Sequence, residues 1–113
     1  MAPLGAAPNA ELCVGRYTAQ RVPGHVLIFA AGVHRSAGCV VFFRREAGDD
    51  FPPRFSLWHV RPHAPGLHAV TPFSAWTAFQ TTRDVDQVQI LDASGSQSIT
   101  VDDVPERSRE HQP

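Results

Sequence analysis

The densest apolar segment of the chain lies in residues 24–43. It holds two nearly continuous runs of β-branched and aromatic residues, and the short segment between them has a glycine at each end, Gly32 and Gly38. This pattern is typical of a hairpin whose loop is longer than the tight two-residue kind. Because apolar residues occupy consecutive positions in both runs, we expect both strands to be covered on two faces.

Further strands are predicted where apolar and polar residues alternate. Arg54–Val60 alternates and places Phe55 and Leu57 inward. Residues 85–91 and 98–104 alternate on either side of a polar turn that contains Gly95, which predicts a second hairpin. The mixed pattern of residues 11–20 suits an edge strand. In residues 73–82 the aromatic residues are spaced three apart, as in a helix, but the density of threonine favours a strand.

Together these elements predict an all-β protein with a single domain at residues 11–104. About seven or eight short strands, with turn signals roughly every 8–12 residues, are the signature of an antiparallel β-sandwich. We expect a sandwich that is immunoglobulin-like in outline, and a small β-barrel is the alternative. Residues 1–10 lack periodicity, and residues 105–113 are charged and lack large apolar side chains. They are predicted to be a flexible N-terminal tail and a disordered C-terminal tail.

Composition and charge narrow the class of protein. The 113 residues leave room for one domain, and a content of 42% apolar and 19% charged residues is that of a globular protein. The net charge of −1 gives no reason to expect a nucleic-acid partner. No apolar run has the length of a membrane span or a signal peptide, so we predict no membrane and a cytoplasmic location. Cys13 and Cys39 are then expected to be reduced. A disulfide between them is the alternative if their strands face each other.

Histidine is the enriched reactive residue type. The chain has six histidines, and three of them, His59, His63 and His68, fall within ten residues. Because zinc takes three or four nitrogen or sulfur ligands, these three are candidate metal ligands. Together with His34 they are also a candidate set for a metal- or small-molecule-dependent binder or enzyme. Their spacing matches no compact metal motif, so no cofactor is predicted, and zinc is left to direct test.

The sequence gives no support for nucleophilic catalysis. Ser36 follows His34 closely, but it lies outside any Gly-x-Ser-x-Gly motif. Cys13 and Cys39 lie in apolar runs, where burial raises the pKa of a thiol and makes it inert. We therefore favour a protein without enzymatic activity.

The surplus of large apolar side chains points to an interaction surface. Residues 40–43 place large side chains on both faces of one strand, and aromatic residues near the loops are interleaved with arginine, as at protein interfaces. We predict a non-enzymatic protein-interaction or self-assembly module that uses an apolar or aromatic β face or an edge strand. Its partner is a protein or a second copy of the chain. The residues predicted to make the contact are Val41, Phe43, Trp58 and Trp76, with Arg35, Arg54 and Arg61 at the rim.

Two short segments resemble known proteins. In residues 33–41, Ser36-Ala37-Gly38 leads into an apolar strand, and this resembles the loop and strand of the chagasin-like, immunoglobulin-fold inhibitors of cysteine peptidases. The resemblance implies a third function, inhibition of a peptidase by the loop at residues 32–38. Residues 68–75 resemble a strand-turn-strand segment of small uncharacterised bacterial all-β proteins, a likeness that implies no function.

Overall fold

The computed structural model describes residues 9–35, 37–46, 51–61, 70–81 and 84–103. They form eight strands: β1 (Ala10–Leu12), β2 (Arg16–Val22), β3 (His25–His34), β4 (Val40–Arg45), β5 (Arg54–Val60), β6 (Thr71–Gln80), β7 (Gln87–Asp92) and β8 (Gly95–Asp103). No residue in the described ranges is helical, so the predicted all-β class is confirmed. The two predicted tails lie outside the described residues, apart from Asn9 and Ala10, and Ala10 already belongs to β1.

The strands form one mixed sheet in the order β1-β5-β7-β8-β2-β3-β6, with β4 paired to β5. Five pairings are antiparallel, but β2 with β8 and β5 with β7 are parallel. The predicted antiparallel arrangement holds for five pairings and is wrong for these two. The right-handed twist of strands lets a large sheet coil on itself, and this one is a curled open sheet that forms a half-barrel. The edge strands β4 and β6 approach each other. The immunoglobulin-like sandwich is not confirmed.

The hairpin predicted for residues 24–43 is wrong. Strand β3 pairs with β2 and, over its full length, with β6, whereas β4 pairs with β5. The tight turn at Pro23 and Gly24, where Gly24 adopts a φ of 77°, connects β2 to β3. A positive φ is readily adopted by glycine, so this turn forms the β2–β3 hairpin locally. One hydrogen-bonding edge of β3 is then occupied by β2. As a consequence β2 lies between β3 and β8 and is not the predicted edge strand.

Two other strand predictions are confirmed. Residues 87–103 form the β7–β8 hairpin around Gly95, whose φ is 120°. Residues 71–80 form strand β6 and not a helix.

The core lies on the inner face of the curled sheet. Val26 and Ile28 of β3 pack there with Phe55 of β5 and with Val88 and Ile90 of β7. A smaller cluster of buried residues contains Cys13, Ala30 and Leu57. Phe29 lies between the buried residues Ile28 and Ala30 in the sequence, but it is 36% exposed. The prediction that the first apolar run is covered on both faces is therefore wrong, because a single curled layer has only one inner face.

Candidate functional site

The seven residues predicted to form an interface do not share one surface. Val41 and Phe43 are half-buried and pack against the core from the inner face of β4. Trp58 lies half-buried on β5, and Trp76 lies on β6 with 67% of its surface exposed. The three arginines are exposed at separate positions: Arg35 after β3, Arg54 at the start of β5 and Arg61 after its end.

Trp58 is shielded by contacts from its own chain. Its Nε1 donates a hydrogen bond of 2.7 Å to Ser56 Oγ, and Ser56 Oγ donates one of 2.5 Å to Glu46 Oε2. The Arg44 guanidinium lies 4.9 Å from the centre of the Trp58 ring and also pairs with Glu46 at 3.3 Å. A cation over an aromatic face and a bonded indole N–H satisfy both the polar and the apolar parts of a tryptophan. This part of the surface is therefore covered by contacts within the chain.

A second group of apolar residues, here called the outer aromatic face, lies on the convex side of β3 and β6. Phe29 and Trp76 are directly opposite each other across the two strands. Val33 on the same face is 64% exposed. Alternate positions of a strand point to the same side, so these residues belong to one continuous surface. It comprises Leu27, Phe29, Ala31, Val33, Pro72, Trp76 and Ala78.

The opposite, inner side of β3 ends in a second candidate site, here called the Cys–His cluster. Its members are Cys13, His34 and His59, and their ligand-type atoms all lie within 4.8 Å of one another. His34 Nε2 and His59 Nδ1 are 2.8 Å apart and share a hydrogen bond. Three different segments bring these residues together: Cys13 follows β1, His34 ends β3 and His59 belongs to β5.

Further contacts hold the two imidazole rings in place. His59 Nε2 lies 3.5 Å from Glu11 Oε1, and the same carboxylate oxygen is 3.2 Å from Nε of Arg61. The pairing of β1 with β5 places Glu11 opposite His59. The His34 ring packs on Phe73 with 4.7 Å between the ring centres. The three members of the cluster line one cavity with Glu11, Val33 and Arg61.

The surroundings keep Cys13 and His34 uncharged at neutral pH. Burial, with smaller contributions from the nearby Asp92 and Cys39, raises the pKa of the Cys13 thiol to about 11. Burial lowers the pKa of His34, as do the neighbouring His59 and Arg61. The thiol therefore keeps its proton at pH 7, and the His34 imidazole is neutral.

Asp92 anchors the fold close to the Cys–His cluster. This residue is 2% exposed, and its carboxylate accepts hydrogen bonds from Tyr17 at 2.5 Å, from the backbone and hydroxyl groups of Ser94, and from Gln97. Burial alone would raise the pKa of Asp92, but the hydrogen bonds from Tyr17 and Ser94, with one from the backbone of Gly15, lower it below its ordinary value. Burial and the bond to Asp92 raise the pKa of Tyr17. Asp92 therefore acts as an ionised structural acceptor, since its oxygens are used within the chain.

The sequence did not indicate the Cys–His cluster. Of the four histidines considered as site residues, His34 and His59 come together, while His63 and His68 lie outside the described residues, as does Ser36. Cys13 was expected to be an inert apolar residue, and in the structure no disulfide joins Cys13 and Cys39. No short motif links positions 13, 34 and 59, because their approach depends on which distant strands pair.

No family model matches the chain, and comparisons with curated proteins and with solved structures gave no significant match. The resemblance to chagasin-like inhibitors stays a prediction. Gly32, the first residue of the loop on which it rests, belongs to strand β3.

Across the described residues, no helix has the length and apolar character that crossing a bilayer requires. The cytoplasmic location and the absence of a membrane partner stay predictions.

Proposed function

We propose that the protein is a non-enzymatic interaction module that associates with a second copy of itself through the outer aromatic face of β3 and β6. The observation that carries the proposal is the cross-strand pair of Phe29 and Trp76, which are 36% and 67% exposed. Folded monomers commonly expose single apolar residues, but contiguous apolar surfaces are characteristic of binding sites. Trp76 is one of the residues predicted from the sequence to make the contact.

The composition of the surface supports this proposal. Tryptophan and phenylalanine are enriched among residues that contribute most to binding, and apolar centres of interfaces are bordered by polar residues. Strand β2 provides such a border, because Arg16, Thr18 and Gln20 lie opposite Ala31, Phe29 and Leu27 of β3 and are exposed. The outer aromatic face therefore has an apolar centre with a polar margin on its β2 side.

The face of the sheet is favoured over the edge of β6 as the site of contact. In the strand order β6 is terminal, so its free edge is one route to association. However, β4 approaches β6 from within the same molecule, and Pro72 lacks an N–H to donate near the start of the strand. The convex face carries the apolar side chains and lies away from the core.

The proposal is tested by measuring mass in solution over a range of protein concentrations. We expect the wild-type mass to rise from that of one chain to that of two as concentration increases. Loss of a central aromatic contact commonly costs about 2 kcal/mol or more in binding, so Trp76→Ser should weaken association by roughly 30-fold or more.

Val40→Ser is a matched control for Trp76→Ser. Val40 is 61% exposed, but it belongs to β4 and lies outside the outer aromatic face. This variant should associate like the wild type. A wild-type mass of one chain at every concentration, or equal effects of the two substitutions in folded protein, contradicts the proposal.

A further inference from the structure

We propose that Cys13, His34 and His59 form a binding site for a borderline-soft divalent transition-metal ion, of which zinc fits best. The site is separate from the outer aromatic face, since its three ligand residues lie on the other side of the sheet and, of the described residues, only Val33 borders both. One thiolate and two imidazoles are the donor types that zinc prefers, whereas magnesium and calcium prefer oxygen ligands.

The spacing of the donor atoms suits a tetrahedral ion. With bonds of about 2.3 Å to sulfur and about 2.0–2.1 Å to nitrogen, neighbouring donors of one zinc ion are roughly 3.3–3.7 Å apart. The two imidazole nitrogens are 2.8 Å apart, and all three donors lie within 4.8 Å of one another. The donor atoms are therefore already gathered within about 1 Å of the spacing that a tetrahedral ion requires.

The placement of the protons gives a consistent bound state. Both nitrogens that face each other, His34 Nε2 and His59 Nδ1, must present lone pairs to the ion, so the hydrogen bond between them breaks. The ring protons then reside on His34 Nδ1 and His59 Nε2. Cys13 binds as thiolate, and its proton is released to solvent. Both imidazoles bind the ion as neutral ligands.

The carboxylate contact on the far side of the His59 ring is the one expected of a metal ligand. His59 Nε2, the nitrogen that faces away from the cluster, lies 3.5 Å from the carboxylate of Glu11. A carboxylate in this position accepts a hydrogen bond from the second ring N–H of a metal-bound imidazole, which fixes the tautomer of the imidazole and raises its basicity. Arg61 holds the same carboxylate at 3.2 Å. Glu11 is therefore a positioning residue that acts on the ion through His59.

The cavity allows an ion to reach the three donors from solvent. Cys13, His34 and His59 all line it, and Val14, Val33 and Ala93 form part of its wall. With three protein ligands, a water molecule completes the tetrahedron, as in zinc sites that keep one open position.

The site is tested by titrating the reduced 113-residue protein with zinc by calorimetry and with cobalt by absorption spectroscopy. We expect one ion per chain. Cobalt should produce the thiolate-to-metal charge-transfer absorption and the intense visible bands of a tetrahedral ion. His59→Gln and Cys13→Ser should each weaken binding by at least about 100-fold, and Glu11→Gln by about 10–100-fold.

Two control variants test whether the ion binds at these three residues. His25→Ala removes a histidine at the opposite end of β3 and should leave affinity unchanged. A variant with both His63→Ala and His68→Ala should also keep its affinity, and loss of binding there assigns the ion to those residues and overturns the proposal. Circular dichroism establishes that each variant is folded. Folded wild-type protein that binds neither zinc nor cobalt, or binds cobalt without the thiolate band, also overturns it.

Discussion

The outer aromatic face and the Cys–His cluster both include residues of strand β3, but the chain covers the cluster more completely than it covers the face. In the cluster, His34 packs on Phe73 and bonds to His59, and His59 faces Glu11. On the outer face, Val33 is 64% exposed although it directly precedes His34 in the sequence. The comparison teaches that this curled sheet covers the concave side of β3 with its own chain and leaves apolar side chains on the convex side of β3 exposed.

The largest expected effect is a difference in stability between substitutions at two adjacent residues of β3 that lie on opposite sides of the sheet. Ile28 is 0% exposed in the core, and Phe29 is 36% exposed on the outer aromatic face. Ile28→Ala should lower the free energy of unfolding by about 2–5 kcal/mol, because it removes buried methyl groups and leaves a cavity. Phe29→Ala should cost about 1 kcal/mol or less in the monomer.

The two variants are compared by urea unfolding at a protein concentration at which association is absent. Equal losses in the two variants would mean that Phe29 is covered within one chain. The contrast between the two sides of β3 would then be wrong.

The next effect concerns Asp92, whose hydrogen bonds lie on the inner side of the sheet near the Cys–His cluster. Asp92→Asn replaces an acceptor-only carboxylate by an amide that cannot accept from Tyr17 and Ser94 equally well. We expect a loss of about 1–3 kcal/mol at pH 7. The variant tests how much the inner contacts contribute to stability.

The effect of Asp92→Asn should depend on pH. The folded-state pKa of Asp92 is below its ordinary value, so its ionised form stabilises the fold above the unfolded-state pKa of about 3.9. This stabilisation is lost as the pH falls through the folded-state pKa. The gap in melting temperature between wild type and variant should therefore narrow below about pH 4. A gap that stays constant on acidification would show that the charge of Asp92 contributes nothing.

The smallest expected effect is the difference in stability between phenylalanine substitutions of the two tryptophans. Trp58→Phe removes the indole donor to Ser56 and weakens the contact with Arg44, which should cost about 1 kcal/mol. Trp76→Phe removes no hydrogen bond recorded for the described residues and should change the stability of the monomer by about 0.5 kcal/mol or less. Thermal unfolding of dilute protein measures both values.

Fluorescence quenching gives an independent comparison of the tryptophans. In Trp58→Phe the remaining Trp76 should be readily quenched by acrylamide, while Trp58 in Trp76→Phe should be protected. Similar quenching of the two would show that the contacts of Arg44 and Ser56 do not shield Trp58.

The sequence by itself determined the features that depend on neighbouring residues. Alternation placed Phe55 and Leu57 of β5 inward, and both are buried. The glycine of the last polar turn located the β7–β8 hairpin. These predictions hold because side-chain direction has a period of two in a strand and because turn chemistry fixes the register of a hairpin.

Only the tertiary structure decided which distant strands pair. Strand β3 joins β2 and β6 and not β4, and two pairs are parallel, so the sheet curls into a half-barrel whose convex side exposes Trp76. The same pairing brings Cys13, His34 and His59 together. Long-range pairing depends on the total apolar surface that all strands bury together. No local pattern of residues encodes that total.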